Sequence, residues 1–114
     1  MEKKYSISKE GNHLLKIVLE GSFSIDDAKD YTKDYNNVVK TISPKDYTLS
    51  FNCKNLKVSN PDVLNTLEEC FKLYKKEGYN KIEAIIDAGQ PVLSMQIKRV
   101  ATQAGLSNLD IIKE

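Results

Sequence analysis

The side chains that most often perform catalysis are scarce in this sequence. It contains one histidine, His13, and two cysteines, Cys53 and Cys70, among 114 residues. A nucleophilic triad or Cys-His pair would have only His13 as its base, and a histidine beside a predicted turn is more simply a surface residue. These three positions lack the spacing of zinc ligands. The phosphate-binding patterns GxxxxGK[ST] and GxGxxG are also absent from the sequence. We therefore expect no catalytic activity, no metal and no cofactor.

Several aspartates stand where an α/β protein could use them. Asp26 and Asp27 follow a predicted helix start, where the helix dipole favours negative charge, and this is a simpler interpretation than a metal site or an acid/base pair. Asp87 follows an apolar strand, at the strand end where α/β sheets usually place functional residues. A turn through Gly89 explains Asp87 equally well.

The two cysteines favour a reduced compartment. Cys53 and Cys70 lie in different predicted elements and do not indicate a disulfide framework. Cys53 follows a predicted strand and precedes a helix start, where a thiol pKa can fall, although no basic neighbour or resolving partner is evident. Cys70 lies on the apolar face of a predicted helix and is most simply a core residue.

The elements that would position these residues follow from apolar periodicity. The chain has eight predicted segments in the order β-β-α-β-α-β-α-β. The strands are predicted at 5–8, 14–19, 47–51, 81–87 and 109–112, and the helices at 25–41, 61–77 and 93–104. This order predicts one α/β domain over residues 1–114, with a mixed, mostly parallel sheet, an N-terminal β-hairpin and three amphipathic helices.

Composition narrows the possible partners and location. The formal net charge is +1, with both signs mixed along the chain, so nucleic acid is not an expected partner. No apolar run approaches the ~18–20 residues of a membrane span. The first residues carry no apolar run typical of a signal peptide. We expect a cytoplasmic protein that does not bind a membrane.

One segment and the element order together resemble a known family. The run Leu49-Ser50-Phe51-Asn52-Cys53-Lys54-Asn55-Leu56-Lys57-Val58-Ser59-Asn60-Pro61-Asp62-Val63-Leu64 leads from a strand through a predicted loop, 52–59, into a helix. It resembles the STAS domain, the fold of bacterial anti-sigma factor antagonists, as does the strand-glycine-helix entry at 17–23. In that family an Asp-Ser-Ser-Gly-Leu type motif at the helix start carries a phosphorylatable serine.

The resemblance implies the fold and a protein-binding role, without the serine switch. If Leu64 is matched to the leucine of the motif, Asn60 falls on its aspartate, and Pro61 and Asp62 fall on its two serines. Neither matched serine position carries a hydroxyl. We hypothesise that Asp62 supplies a fixed negative charge, and that Ser59 is the alternative phosphorylation site, because helix N-terminal amides stabilise phosphate.

The expected function is therefore a STAS-like protein-interaction module. Its predicted partner-binding surface is the edge where strands lead into helices, formed by residues Cys53, Ser59, Asn60, Pro61, Asp62, Asp87 and Gly89. A small-ligand or anion carrier is one alternative, and it would need a sizeable apolar cavity. A structural subunit is another, forming a homodimer through the hairpin 5–19 or the tail near Ile111.

Overall fold

Five strands and three α-helices alternate along the chain in the computed structural model, which describes residues 4–57 and 61–114. The predicted α/β class is confirmed. The elements are β1 (Tyr5–Glu10), β2 (Leu14–Ser22), α1 (Ile25–Val39), β3 (Thr48–Lys57), α2 (Pro61–Glu77), β4 (Lys81–Ile86), α3 (Pro91–Ala104) and β5 (Leu109–Lys113), with a 3₁₀ turn at Pro44–Asp46.

The strands pair in the same order in which they occur in the sequence, β1-β2-β3-β4-β5. β1 and β2 form the predicted antiparallel hairpin, and the other pairs are parallel. Parallel connections are almost always right-handed, so consecutive order places every crossover helix on the same face of the sheet. In agreement, α2 packs against both α1 and α3.

The two faces of the sheet differ in composition. The row on the helix-covered face contains Ile7, Ile17, Phe51, Ala84 and Ile111, and all five are buried or half-buried. The rows on either side of it face the side without helices. One row mixes Ser6 and Asn52 with half-buried Val18, Ile85 and Ile112, and the other is polar. Its members are Ser8, Lys16, Ser50, Glu83 and Asp110. The domain therefore has two layers, with its core between the sheet and the three helices.

Aromatic side chains fill the core beneath α1 and α2. Tyr31, Tyr35 and Tyr74 are each at most 1% exposed and so belong to the core. Their hydroxyls find partners in pairs, because a buried phenol without a hydrogen bond is costly. The Tyr31 and Tyr74 hydroxyls lie 2.5 Å apart, as do those of Tyr35 and Tyr79.

The start of α1 follows the sequence prediction. Ser24 is the N-cap, and its side chain accepts a hydrogen bond from the Asp27 N–H at 3.1 Å. The Asp27 carboxylate in turn accepts the Ser24 N–H at 2.9 Å and pairs with Lys4 at 3.1 Å. The backbone bond from Ser24 is the main cause that lowers the pKa of Asp27. Asp27 is therefore a helix-capping residue.

β3 is longer than the sequence predicts. The segment 52–57 belongs to this strand, so the predicted loop is wrong over those residues. After a shift in register between Val18 and Glu20, Asn55 pairs with Glu20 and Lys57 with Ser22. Pairing with the long strand β2 therefore outweighs the low strand propensity of this polar segment.

Candidate functional site

The carboxyl ends of the parallel strands meet at one edge of the sheet, here called the carboxyl edge. β2, β3, β4 and β5 run in the same direction, and α1, α2 and α3 begin just beyond β2, β3 and β4. Of the partner-binding residues predicted from the sequence, Pro61, Asp62, Asp87 and Gly89 lie at this edge. Ser59 and Asn60 lie outside the described residues. Pro61 is the first residue of α2, as predicted, and Asp62 is exposed in its first turn.

Cys53 requires a correction. It lies inside β3 instead of in a loop, and its side chain is only 3% exposed. Burial raises the pKa of its thiol to about 12, so the thiol stays protonated at neutral pH. A partner at the carboxyl edge would therefore contact the neighbours of Cys53 and not its sulfur. Cys70 is also 3% exposed, which agrees with its predicted core position.

Asp87 and Gly89 form a tight turn between β4 and α3. The Gly89 N–H donates to the Asp87 carboxylate at 2.8 Å, and the Gln90 N–H donates to the Asp87 carbonyl at 2.9 Å. The side chain of Gln90 also donates to the carbonyl of Lys54 at 3.3 Å. Asp87 and Gly89 are exposed. This turn is thus fixed to the end of β3, and Asp87 has the turn-forming role that the sequence left open.

Two large apolar side chains are exposed next to this turn, and the sequence analysis did not identify them. Val92 is 67% exposed and Met95 is 65% exposed, and both lie in the first turns of α3. They are one helical turn apart and so belong to the same side of the helix. Their position outside the buried stripe of Leu93, Ile97 and Val100 was a usable signal in the sequence.

The edge is acidic along two helices and apolar along the third. Asp26 and Asp62 are exposed in the first turns of α1 and α2, whereas the first turn of α3 has no acidic residue. A shallow groove of about 250 Å³ continues from this end between α2 and α3. It is lined by Leu64, Asn65, Gln96, Arg99, Val100 and Gln103. The surface combines apolar side chains with a polar surround, which suits contact with a protein.

The sheet lacks the crevice that small ligands usually occupy in α/β proteins. Such a crevice forms where the strand order reverses and adjacent helices leave on opposite faces. Here the order is consecutive, so neighbouring crossovers stay on one face. The cavity enclosed beneath α2 measures only about 10 Å³ and is lined by apolar residues with Cys53. That volume holds one water molecule at most, far below a ligand pocket.

The histidine and the possible metal ligands are dispersed in the described part of the chain. His13 is exposed, and its Nδ1 lies 3.1 Å from the Asp46 carbonyl oxygen. Within residues 4–57 and 61–114, no three His, Cys, Asp or Glu side chains are grouped so as to hold a metal ion. No helix in these ranges has both the length and the apolar composition needed to cross a membrane.

No protein-family model matches this sequence, and no curated protein is significantly similar to it.

Proposed function

We propose that this chain is a non-catalytic, STAS-like protein-binding domain that acts in a bacterial-type cytoplasm. The observation that carries the proposal is the exposure of Val92 and Met95 at the carboxyl edge. Two neighbouring apolar side chains are exposed to water here, so covering them with a partner surface contributes favourable free energy to binding. Methionine also adapts its shape to a partner surface more readily than branched side chains do.

The residues around this pair suggest how a partner would be oriented. Arg99 lies one turn beyond Met95 on the same side of α3, and arginine is common among the residues that dominate interface energy. Asp26 and Asp62 add negative charge at the starts of the other two helices. A partner with an apolar anchor and a basic flank would complement this surface.

The STAS-like assignment rests on the element order and on the run 49–64, within which Asp62 departs from the family motif. The order β-β-α-β-α-β-α-β is that of the predicted family, and Asp62 is exposed in the first turn of α2, where the resemblance places a serine. A permanent carboxylate there would give the surface a fixed charge in place of a removable one. The proposal is therefore a docking domain that is not switched at this position.

The consecutive strand order and the small internal cavity favour a macromolecular partner over a carried ligand. An apolar ligand of ordinary size needs several hundred Å³ of enclosed space, against about 10 Å³ beneath α2. A protein partner requires only an accessible patch with suitable chemistry. The carboxyl edge supplies such a patch in Val92, Met95 and the groove beside them.

Paired affinity captures from cells that produce the protein test this proposal. The bait is the wild-type chain or a Val92→Glu/Met95→Glu variant, both immobilised at equal amounts. A Lys29→Gln/Lys33→Gln variant is the control, because it changes the net charge by the same amount on α1, away from α3. We expect one stoichiometric partner on the wild type and on the control, and its loss on the glutamate variant.

Two results would contradict the proposal. One is equal capture by the glutamate variant, provided that its circular dichroism and unfolding midpoint match the wild type. The other is the absence of any stoichiometric partner on wild-type bait. Asp62→Lys tests the charge component separately: it should weaken capture of the same partner, whereas unchanged capture would remove Asp62 from the binding surface.

A further inference from the structure

In the part of the chain that the structure describes, β5 is an edge strand, and no other strand pairs with its outer side. The Glu114 N–H donates to the Ile86 carbonyl at 3.0 Å, and the Ala88 N–H donates to the Glu114 carbonyl at 2.9 Å. The N–H and C=O groups of successive residues point to opposite sides of a strand, so those of the even-numbered residues of β5 point toward β4. The residues whose N–H and C=O groups point away from the sheet are Leu109, Ile111 and Lys113.

A groove runs beside this edge, between β5 and α3, and part of its floor is apolar. Its volume is about 460 Å³. Ala101 and Leu106 are buried along it, and Leu109 and Ile111 are half-buried. An extended segment placed against β5 would pair its backbone with the strand and direct every second side chain into the groove.

Three charged residues line the groove: Lys98 of α3, and Asp110 and Lys113 of β5. All three are exposed, and the two lysines outnumber the aspartate. In the described ranges, no carboxylate lies within 4 Å of either ammonium group. Asp110 belongs to the row on the uncovered face of the sheet, where its carboxylate lies 3.7 Å from the ammonium of Lys81. An occupant of the groove would therefore meet two cations that these ion pairs leave unneutralised.

We propose that β5 and α3 form a second binding site, which accepts an extended acidic peptide segment of another protein as a sixth strand. The peptide would supply apolar side chains to the groove floor and at least one carboxylate to Lys98 and Lys113. This site is separate from the exposed apolar pair of α3 and does not depend on the function proposed for it.

A second copy of this chain suits the groove less well. In such a dimer the β5 strands of two copies would pair antiparallel about a two-fold axis perpendicular to the sheet. The helix-covered faces of both copies would then lie on the same side of the joined sheet. Lys98 and Lys113 of both copies would then gather along one seam, and like charges in such positions are destabilising. Charge complementarity therefore favours an acidic peptide.

The opposite edge of the sheet differs in charge. A groove of about 350 Å³ also lies beside β1, and its charged lining residue is Asp34, which would repel an acidic peptide. β1 carries Ser6, Ser8, Lys9 and Glu10, and charged and polar residues of this kind discourage strand addition. The Glu20 N–H donates to the Lys4 carbonyl, so the N–H of Ile7 faces outward, as that of Ile111 does. Ile7 is also a half-buried isoleucine on the helix-covered face, which makes it a matched control position.

The test uses a library of random ten-residue peptides selected on the immobilised full chain. We expect enrichment of peptides that alternate apolar and acidic residues. A fluorescein-labelled selected peptide should then bind in an anisotropy titration. Ile111→Pro removes an outward N–H without touching the bonds to β4, and we expect at least about tenfold weaker binding. The control, Ile7→Pro, should bind like the wild type.

Charge reversal and amide exchange test the same site without a proline. Lys98→Glu/Lys113→Glu should weaken binding by about tenfold at low salt, and less at high salt. Lys45→Glu, an exposed lysine outside the groove, should have no effect. In the wild type the peptide should slow hydrogen exchange at the amides of Ile111 and Lys113, which keeps the test valid if Ile111→Pro fails to fold.

Three outcomes would overturn this inference. They are selection of peptides without acidic residues, unchanged exchange at Ile111 and Lys113 with saturating peptide, and a wild-type dimer that Ile111→Pro dissociates in sedimentation experiments. The last would assign β5 to a second copy. A Val92→Gln/Met95→Gln variant adds no charge beside Lys98. It should bind the peptide normally while losing the partner of the proposed function, so a failure here is distinguishable from a failure of that function.

Discussion

Removing the hydroxyl group of Tyr35 should be one of the most damaging single-atom changes in this domain. This hydroxyl donates to the Glu77 carboxylate at 2.7 Å and lies 2.5 Å from the hydroxyl of Tyr79. A phenol has one proton, so Tyr35 accepts from Tyr79 while it donates to Glu77. Tyr35→Phe therefore breaks both bonds, whereas Tyr79→Phe breaks only the bond from Tyr79 to Tyr35.

The two variants should differ by a predictable amount. A neutral hydrogen bond contributes about 1 kcal/mol net, and one to a charged group about 1.5–3 kcal/mol. Glu77 is only half-buried, so water compensates part of its loss, and we take the lower part of that range. Tyr35→Phe should then cost about 2.5 kcal/mol, or about 10 °C in Tm for a chain of this length. Tyr79→Phe should cost about 1 kcal/mol.

Urea unfolding followed by circular dichroism measures both free energies of unfolding. The double variant completes a cycle, and its cost should equal that of Tyr35→Phe alone within about 0.5 kcal/mol, because the shared bond is already lost. The slopes with urea should not change. The proposed direction of donation is wrong if Tyr79→Phe costs as much as Tyr35→Phe, or if the two costs simply add.

Two further predictions concern titratable groups. Burial raises the pKa of the Cys53 thiol to about 12 and also raises that of Cys70, so a thiol reagent at neutral pH should modify neither in the native protein and both after urea is added; rapid labelling of the native chain would refute their burial. Burial is also the main cause that raises the pKa of Glu77 above its usual value of 4.5. Just above pH 4.5 the folded state therefore binds more protons than the unfolded state. The free energy of unfolding then falls as the pH rises through this window. Glu77→Gln keeps a carbonyl acceptor for Tyr35 and should remove this decrease, which urea midpoints of both proteins between pH about 4 and about 7 would measure; parallel pH profiles would contradict the assignment.

Local signals made most of the elements predictable. The Ser24 cap and the Asn60-Pro61 pair indicated helix starts, and the helices begin at Ile25 and Pro61. Gly78 and Gly105 directly follow the predicted helix ends at 77 and 104, and they hold left-handed φ angles of +74° and +75°, which other residues adopt only with strain. Such signals act within a few residues, so they can be read without knowing the fold.

The incorrect predictions concern segments whose structure depends on contacts with distant parts of the chain. Nothing local in Asn52-Cys53-Lys54-Asn55 favours a strand, and this segment becomes one because β2 offers it a long parallel partner. The same pairing buries Cys53, which the sequence placed at a surface. Val92 and Met95 were not predicted for a different reason. Apolar periodicity identifies the buried stripe of α3, and these two apolar residues lie outside that stripe.

The sheet order also had a signal in the sequence, and the argument for function depends on it. Alternating strands and helices fit both a consecutive sheet and one with helices on both faces, but the latter needs strands that are apolar on both sides. Here Lys16, Ser50 and Glu83 interrupt three parallel strands, and they align in a single row. Such polar positions disfavour a second helix layer, and in the described residues all three crossovers share the other face. A sheet wound in one direction has no reversal of strand order, which is where α/β sheets usually form a ligand crevice. This geometry supports the proposal that the domain binds a protein in preference to carrying a ligand.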